Sequence, residues 1–225
     1  SNQLETGPTN CNLTDLGLEQ SLGSPATIAQ AIELVNALPR PLTIPCFLSS
    51  LNRPLKVNLT NSGRSAQPAR GNDNPRIFIM NLPLVMSLTI EGGSSVFIEF
   101  AEFTTEQRSI KGELKFPITD DIVDISAPFK SVDSNTRSKC GGCHVQETKI
   151  TNTEYPGDIY ESLAFKPTSN QKVEIPNFKL ELYKCEMMAE LNNRCTMIYA
   201  LYNHGEVVDE NFPNSTLTFF DSFGL

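Results

Sequence analysis

Between residues 42 and 130 the chain is built of short apolar stretches. LTIPCFL, LKVNLT, PRIFIMN, LVMSLTIE, SSVFIEFAEF and IKGELKFPI are rich in β-branched and aromatic residues, and clusters of Gly, Pro, Asn or Ser divide them. That pattern predicts short strands joined by turns. In SSVFIEFAEF, Val96, Ile98 and Phe100 share one side, and Phe97, Glu99 and Ala101 take the other, as a two-residue period requires. Residues 62–75, SGRSAQPARGNDNP, are rich in turn-formers and predict a long loop.

The flanks carry helical signals. SPATIAQAIELVNALPRP predicts a packing helix, with Ser24 as its cap, Pro25 in the first turn, and Ile28, Ile32 and Val35 on one face. Pro39 and Pro41 end it. VEIPNFKLELYK alternates Phe178, Leu180 and Leu182 with Lys179 and Glu181, and predicts a strand. In RCTMIYALYNHG, Cys195, Ile198 and Tyr202 fit a helix closed by Gly205. STLTFFDSF predicts a last strand. The fold class expected is α+β, predominantly β: an antiparallel sandwich or barrel-like core, an N-terminal packing helix and a C-terminal helix. Residues 1–130 supply the arm, helix and β-rich core. Residues 131–225 supply a loop region and C-terminal elements packed on the same core, as one domain.

A chain of 225 residues can bury a core of its own. The net charge of −8, with no cluster of Lys and Arg, argues against nucleic acid as a partner. No apolar run is long enough to span a membrane. The chain begins Ser1-Asn2 without Met and reads as a mature or truncated piece, so any signal peptide or lipid anchor lies outside it. With two histidines and no G-x-S-x-G, no hydrolytic triad can be assembled, and no catalytic residue is identified.

Cysteine is used in pairs. Cys11 and Cys46 flank the N-terminal segment, and Cys185 and Cys195 enclose a short loop. If those four form two bridges, Cys140 and Cys143 remain as a separate unit. Such usage predicts an oxidising location: periplasm, cell surface or secretion.

Cys140, Gly141, Gly142, Cys143 and His144 form a C-x-x-C-H run. Over these five residues the chain resembles the c-type cytochromes. The resemblance implies haem c attached through the Cys140 and Cys143 sulfurs, with His144 as an axial iron ligand and Gln146 or Glu147 to orient its ring. It also implies an electron-transfer or redox-accessory role with a redox partner protein. His204, the only other histidine, is the candidate sixth ligand, and Met187, Met188 and Met197 are nearby in sequence. Small cytochromes c are mostly helical with the motif near the N-terminus. Here it follows a run of strands, so the expected setting is a loop on a β scaffold. Other readings of the pair are a plain disulfide, a thioredoxin-like redox pair, or a zinc site completed by Cys185, Cys195 and His204. The functional alternative is a non-enzymatic, disulfide-stabilised β-sandwich binding or surface protein without cofactor.

Overall fold

A computed structural model describes residues 7–134, 136–151, 154–188 and 191–221. The strands expected from alternation form one twisted sheet. They are β1 (Leu55–Thr60), β2 (Arg76–Asn81), β3 (Leu84–Thr89), β4 (Phe97–Thr105) and β5 (Arg108–Lys115), each antiparallel to the next, with the long loop joining β1 to β2. β6 (Thr148–Ile150) and β7 (Ile159–Leu163) extend the sheet beyond β5, and β9 (Val207–Asp209) joins β1 in parallel at the other edge. The order is β6-β7-β5-β4-β3-β2-β1-β9. β8 (Phe165–Lys166) and β10 (Leu217–Thr218) make a separate two-stranded ribbon. The protein is α+β with a mostly antiparallel open sheet, and the eight strands do not close into a barrel.

The layer facing the sheet is helical: α1 (Ile28–Ala37), α2 (Ile44–Ser50), α3 (Ala127–Val132), α4 (Ile175–Glu186) and α5 (Asn193–Tyr202). Ile77, Ile79, Leu84, Met86, Ile98 and Phe100 point into one core cluster with the buried residues of α1, α2, α4 and α5. Gly112 on β5 is set by packing, since a Cβ there would stand 2.8 Å from the Pro128 side chain. The opposite sheet face is different. It holds a small apolar cluster of Phe78, Met80, Val85 and Phe212 beside a polar strip containing Arg76, Ser87, Glu99, Lys111 and Glu113.

Three local expectations are corrected. α1 begins later than Ser24: Thr27 is the cap, and its hydroxyl accepts from the Gln30 N–H at 3.1 Å. LTIPCFL is not a strand but the start of α2, because the Thr43 hydroxyl accepts the Cys46 N–H at 3.2 Å and Pro45 occupies the first turn, where its missing donor costs nothing. VEIPNFKLELYK is helix α4, whose buried residues Phe178, Glu181, Leu182 and Cys185 follow i, i+3, i+4, i+7. The apparent alternation counted Leu180, which is 56% exposed. RCTMIYALYNHG is helical as α5, capped by Asn192.

Disulfides join Cys11 to Cys46 and Cys185 to Cys195. The first ties the N-terminal arm to α2, and the second ties α4 to α5. No helix among the described residues is long and apolar enough to cross a membrane.

Candidate functional site

Residues 138–147 form a tight turn lying against the polar sheet face. Ser138 is buried and caps a 3-10 turn over Lys139–Gly142, its hydroxyl accepting the Gly141 N–H at 3.2 Å. Ser138 is held in turn by the Glu147 carboxylate, which accepts its backbone N–H at 2.8 Å and also its hydroxyl proton. The Cys140 carbonyl accepts from both Cys143 N–H (3.0 Å) and His144 N–H (2.8 Å). The second bond spans four residues, so His144 sits one helical turn beyond Cys140. A Cβ on Gly141 would meet the Glu147 carboxylate at 2.7 to 2.8 Å, whereas one on Gly142 would meet nothing within 4 Å. The turn is therefore braced on the Glu147 side and open at Gly142.

The imidazole of His144 is fixed by two contacts. Nδ1 lies 2.7 Å from the Leu163 carbonyl at the end of β7. A carbonyl only accepts, so Nδ1 carries the proton and Nε2 keeps the lone pair. The ring also stacks on Phe165, with centroids 5.1 Å apart and planes at 19°. Burial, reinforced by the Lys111 charge, pushes its pKa down to about 3. Phe165 continues into a series of rings, Phe219 at 5.8 Å and then Phe220, with the Arg64 guanidinium 4.9 Å from the Phe220 centroid.

Beneath the turn lies Lys111, which is buried. Its ammonium reaches the hydroxyls of Ser109 (3.0 Å) and Ser162 (2.9 Å), and the carbonyl of Leu163 (3.2 Å) that also holds His144. Desolvation brings the Lys111 pKa down to about 8, opposed by the nearby Cys140 and Glu147. Burial pushes the Cys140 thiol up to about 11, although Lys111 favours its thiolate. At neutral pH Cys140 is thus a protonated thiol rather than an activated nucleophile. Cys143 is exposed, and both are free thiols. Farther along the face, Arg76 is clamped by Glu99 (2.8 Å), Ser87 (2.8 Å) and Ser65, and lies over the Phe78 ring at 4.7 Å. Glu99 stands directly across from Glu113, and desolvation raises its pKa.

Cys140 and Cys143 are two free thiols three residues apart, and the Nδ1–H tautomer of His144 is fixed by the Leu163 carbonyl. The orienting partner differs from the expected one. It is the Leu163 carbonyl, while Glu147 braces Ser138 and Gln146 adopts φ 57° in the following bend. A thioredoxin-like arrangement needs a helix after the pair, and here strand β6 follows. A zinc site is excluded as drawn, because Cys185 and Cys195 are bonded to each other. Among the described residues no group of three or more His, Cys, Asp and Glu is placed to hold a metal ion.

The expected sixth ligand is not brought to the motif. His204 follows α5, beside Arg53, and leads into β9. His144 is fixed to the end of β7, six strand positions away, which is roughly 29 Å at the usual strand spacing. Met187 is 80% exposed at the tip of α4, and the Met188 sulfur lies 3.5 Å from that of Cys195.

Sequence reasoning missed Lys111, which in IKGELKFPI looks like an ordinary solvent-side strand residue. Its burial comes from residues 138–147 and 162–163, and nothing local announces them. The chain matches no protein-family model, and no curated protein or solved structure is significantly similar to it.

Proposed function

We propose that the chain is an exported haem c protein acting in electron transfer or as a redox accessory. The observation that carries the reading is the state of His144. Its Nδ1–H is committed to the Leu163 carbonyl, it is held neutral, and it follows Cys140 by one helical turn. This is the arrangement an axial histidine needs, with the second nitrogen fixing ring orientation and tautomer. Cys140 and Cys143 would hold the porphyrin through thioethers, and His144 would hold the iron. Bound there, the haem supplies one-electron chemistry, and the protein tunes it by ligand, burial and charge. Glu147 and Ser138 keep the turn closed, and Lys111 places a positive charge behind the imidazole. Paired cysteines support an oxidising location, where attachment of this kind is completed.

A second reading has one observation of its own. Two surface clefts are lined by Gln67, Ser94, Glu99 and Glu113, and by Leu114, Ile118, Ile122 and Val123; neither lining includes Cys140 or His144. On that ground the alternative is a cofactor-free, disulfide-stabilised binding or surface protein.

Expression in a host equipped for haem attachment separates the two, with Cys140→Ala/Cys143→Ala and His144→Ala chains alongside. The parent is expected to keep haem after denaturation and the double variant to carry none. His144→Ala should retain covalent haem but show a changed Soret band and a shifted reduction potential. A colourless parent, from a host that matures a control cytochrome, would rule out the haem reading.

A further inference from the structure

The outer face of α4 is apolar where a surface helix should be polar. Its inner stripe of Phe178, Glu181, Leu182 and Cys185 is buried. The stripe diametrically outside it is Pro176, Leu180, Tyr183 and Met187, spaced i, i+4, i+7, i+11 and exposed throughout, with Leu180 at 56%, Tyr183 at 57% and Met187 at 80%. Met188 and Leu191, beyond the helix end, are exposed as well. The Cys185–Cys195 bridge ties this end of α4 to α5. Single exposed apolar residues need no explanation, but a continuous stripe at helical spacing marks an interaction surface.

We propose that this face is a homodimer interface, α4 packing antiparallel on α4 of a second copy about a two-fold axis. The charges beside the stripe choose this occupant. Lys179 and Glu186 are seven residues apart and lie on the same flank, two turns from each other. Neither has an ionic partner among the described residues, whereas Lys184 on the other flank is engaged by Glu181 at 2.5 Å. An isologous contact brings like flanks together with the direction reversed. Lys179 of each chain then falls opposite Glu186 of the other, Leu180 meets Tyr183, and Pro176 meets Met187. The same charges disfavour a lipid surface. Lys179 is balanced by Glu186, and Lys184 and Arg194 by Glu181 and Glu91, so the flanks present no net positive charge to anionic headgroups. The twelve-residue helix is roughly 18 Å long, and this contact falls below the ~800 Å² per partner of a standard stable interface. The dimer is accordingly weak and concentration-dependent. The inference is independent of whether the CGGCH turn carries haem.

Sedimentation equilibrium of the full chain, from micromolar to millimolar concentration, tests it. The parent is expected to pass from monomer to dimer, and Tyr183→Glu to stay monomeric with an unchanged circular dichroism spectrum and melting midpoint. Lys179→Glu and Glu186→Lys should each weaken self-association by roughly tenfold. Mixing those two variants should restore it, because the mixed dimer regains both cross-chain pairs. A parent that is monomeric throughout overturns the proposal, as does a dimer indifferent to Tyr183→Glu or a mixture no tighter than its components. Vesicle flotation with phosphatidylcholine–phosphatidylserine membranes gives the remaining arm. Tyr183-dependent flotation of a monomeric protein would replace the dimer with a lipid contact.

Discussion

A chain carrying Cys11→Ala and Cys46→Ala is expected to lose about 4 kcal/mol of folding stability relative to the oxidised parent, on the chain-entropy scale for a loop of this length. The bridge closes a separation of 35 residues. Both cysteines are buried at 1% exposure or less, and the Cys11 N–H donates to the Ser49 hydroxyl of α2 at 2.7 Å. The arm from Gly7 to Ser24 carries little secondary structure beyond a 3-10 turn at Gln20–Gly23, and the bridge is its one covalent tie, beside the Thr43 hydroxyl on the Pro8 carbonyl and the buried Leu13. Such a loss is a large share of the 5–15 kcal/mol typical of a domain. Urea titration gives the magnitude, and hydrogen exchange over residues 7–24 gives the location. A loss below about 1 kcal/mol, with the arm still protected, would show that packing of Leu13 and its neighbours holds it without the bridge.

Acid should destabilise the haem-free protein through His144. Its pKa is about 3 in the folded chain, against 6.5 when unperturbed. Between those values the unfolded chain binds the extra proton, so stability is fully present above pH 6.5 and is lost as pH falls towards 3. The slope approaches 1.4 kcal/mol per pH unit, which gives a loss of about 2 to 3 kcal/mol between pH 6.5 and 4.5. Carboxylates titrate near the lower end, and His204 adds a smaller contribution of the same sign. His144→Gln isolates the effect: its stability should fall clearly less than the parent's over the same two units. Identical acid slopes in parent and variant would mean that His144 is not held neutral by burial beside Lys111.

What was legible in the sequence divides by range of interaction. Strands β1 to β5 declare themselves because one sheet face is buried against helices, which imposes a two-residue period on Ile77, Ile79, Ile98 and Phe100. The helix at Ile28–Ala37 was legible in kind but began three residues late, since Thr27 rather than Ser24 has its hydroxyl on an N–H of the first turn. α2 and α4 were misread for opposite reasons. α2 is buried on all sides, so it shows no period at all. α4 has apolar residues on both its inner and outer stripes, and the two together imitate alternation. The CGGCH turn could be found from five letters, but its partners could not. Leu163 enters through a main-chain carbonyl, which has no sequence signature, and Lys111 through a topology that places β7 beside β5. The separation of His204 from His144 is likewise a fact of strand order.

Attachment of haem through Cys140 and Cys143 is tested most directly by the intact mass of the chain purified from its native host, taken after denaturation and acid-acetone extraction. The expected mass is higher by one haem, retained through extraction and localised to the peptide containing residues 140–144. A mass equal to the bare chain, less only the hydrogens lost to disulfides, would contradict it.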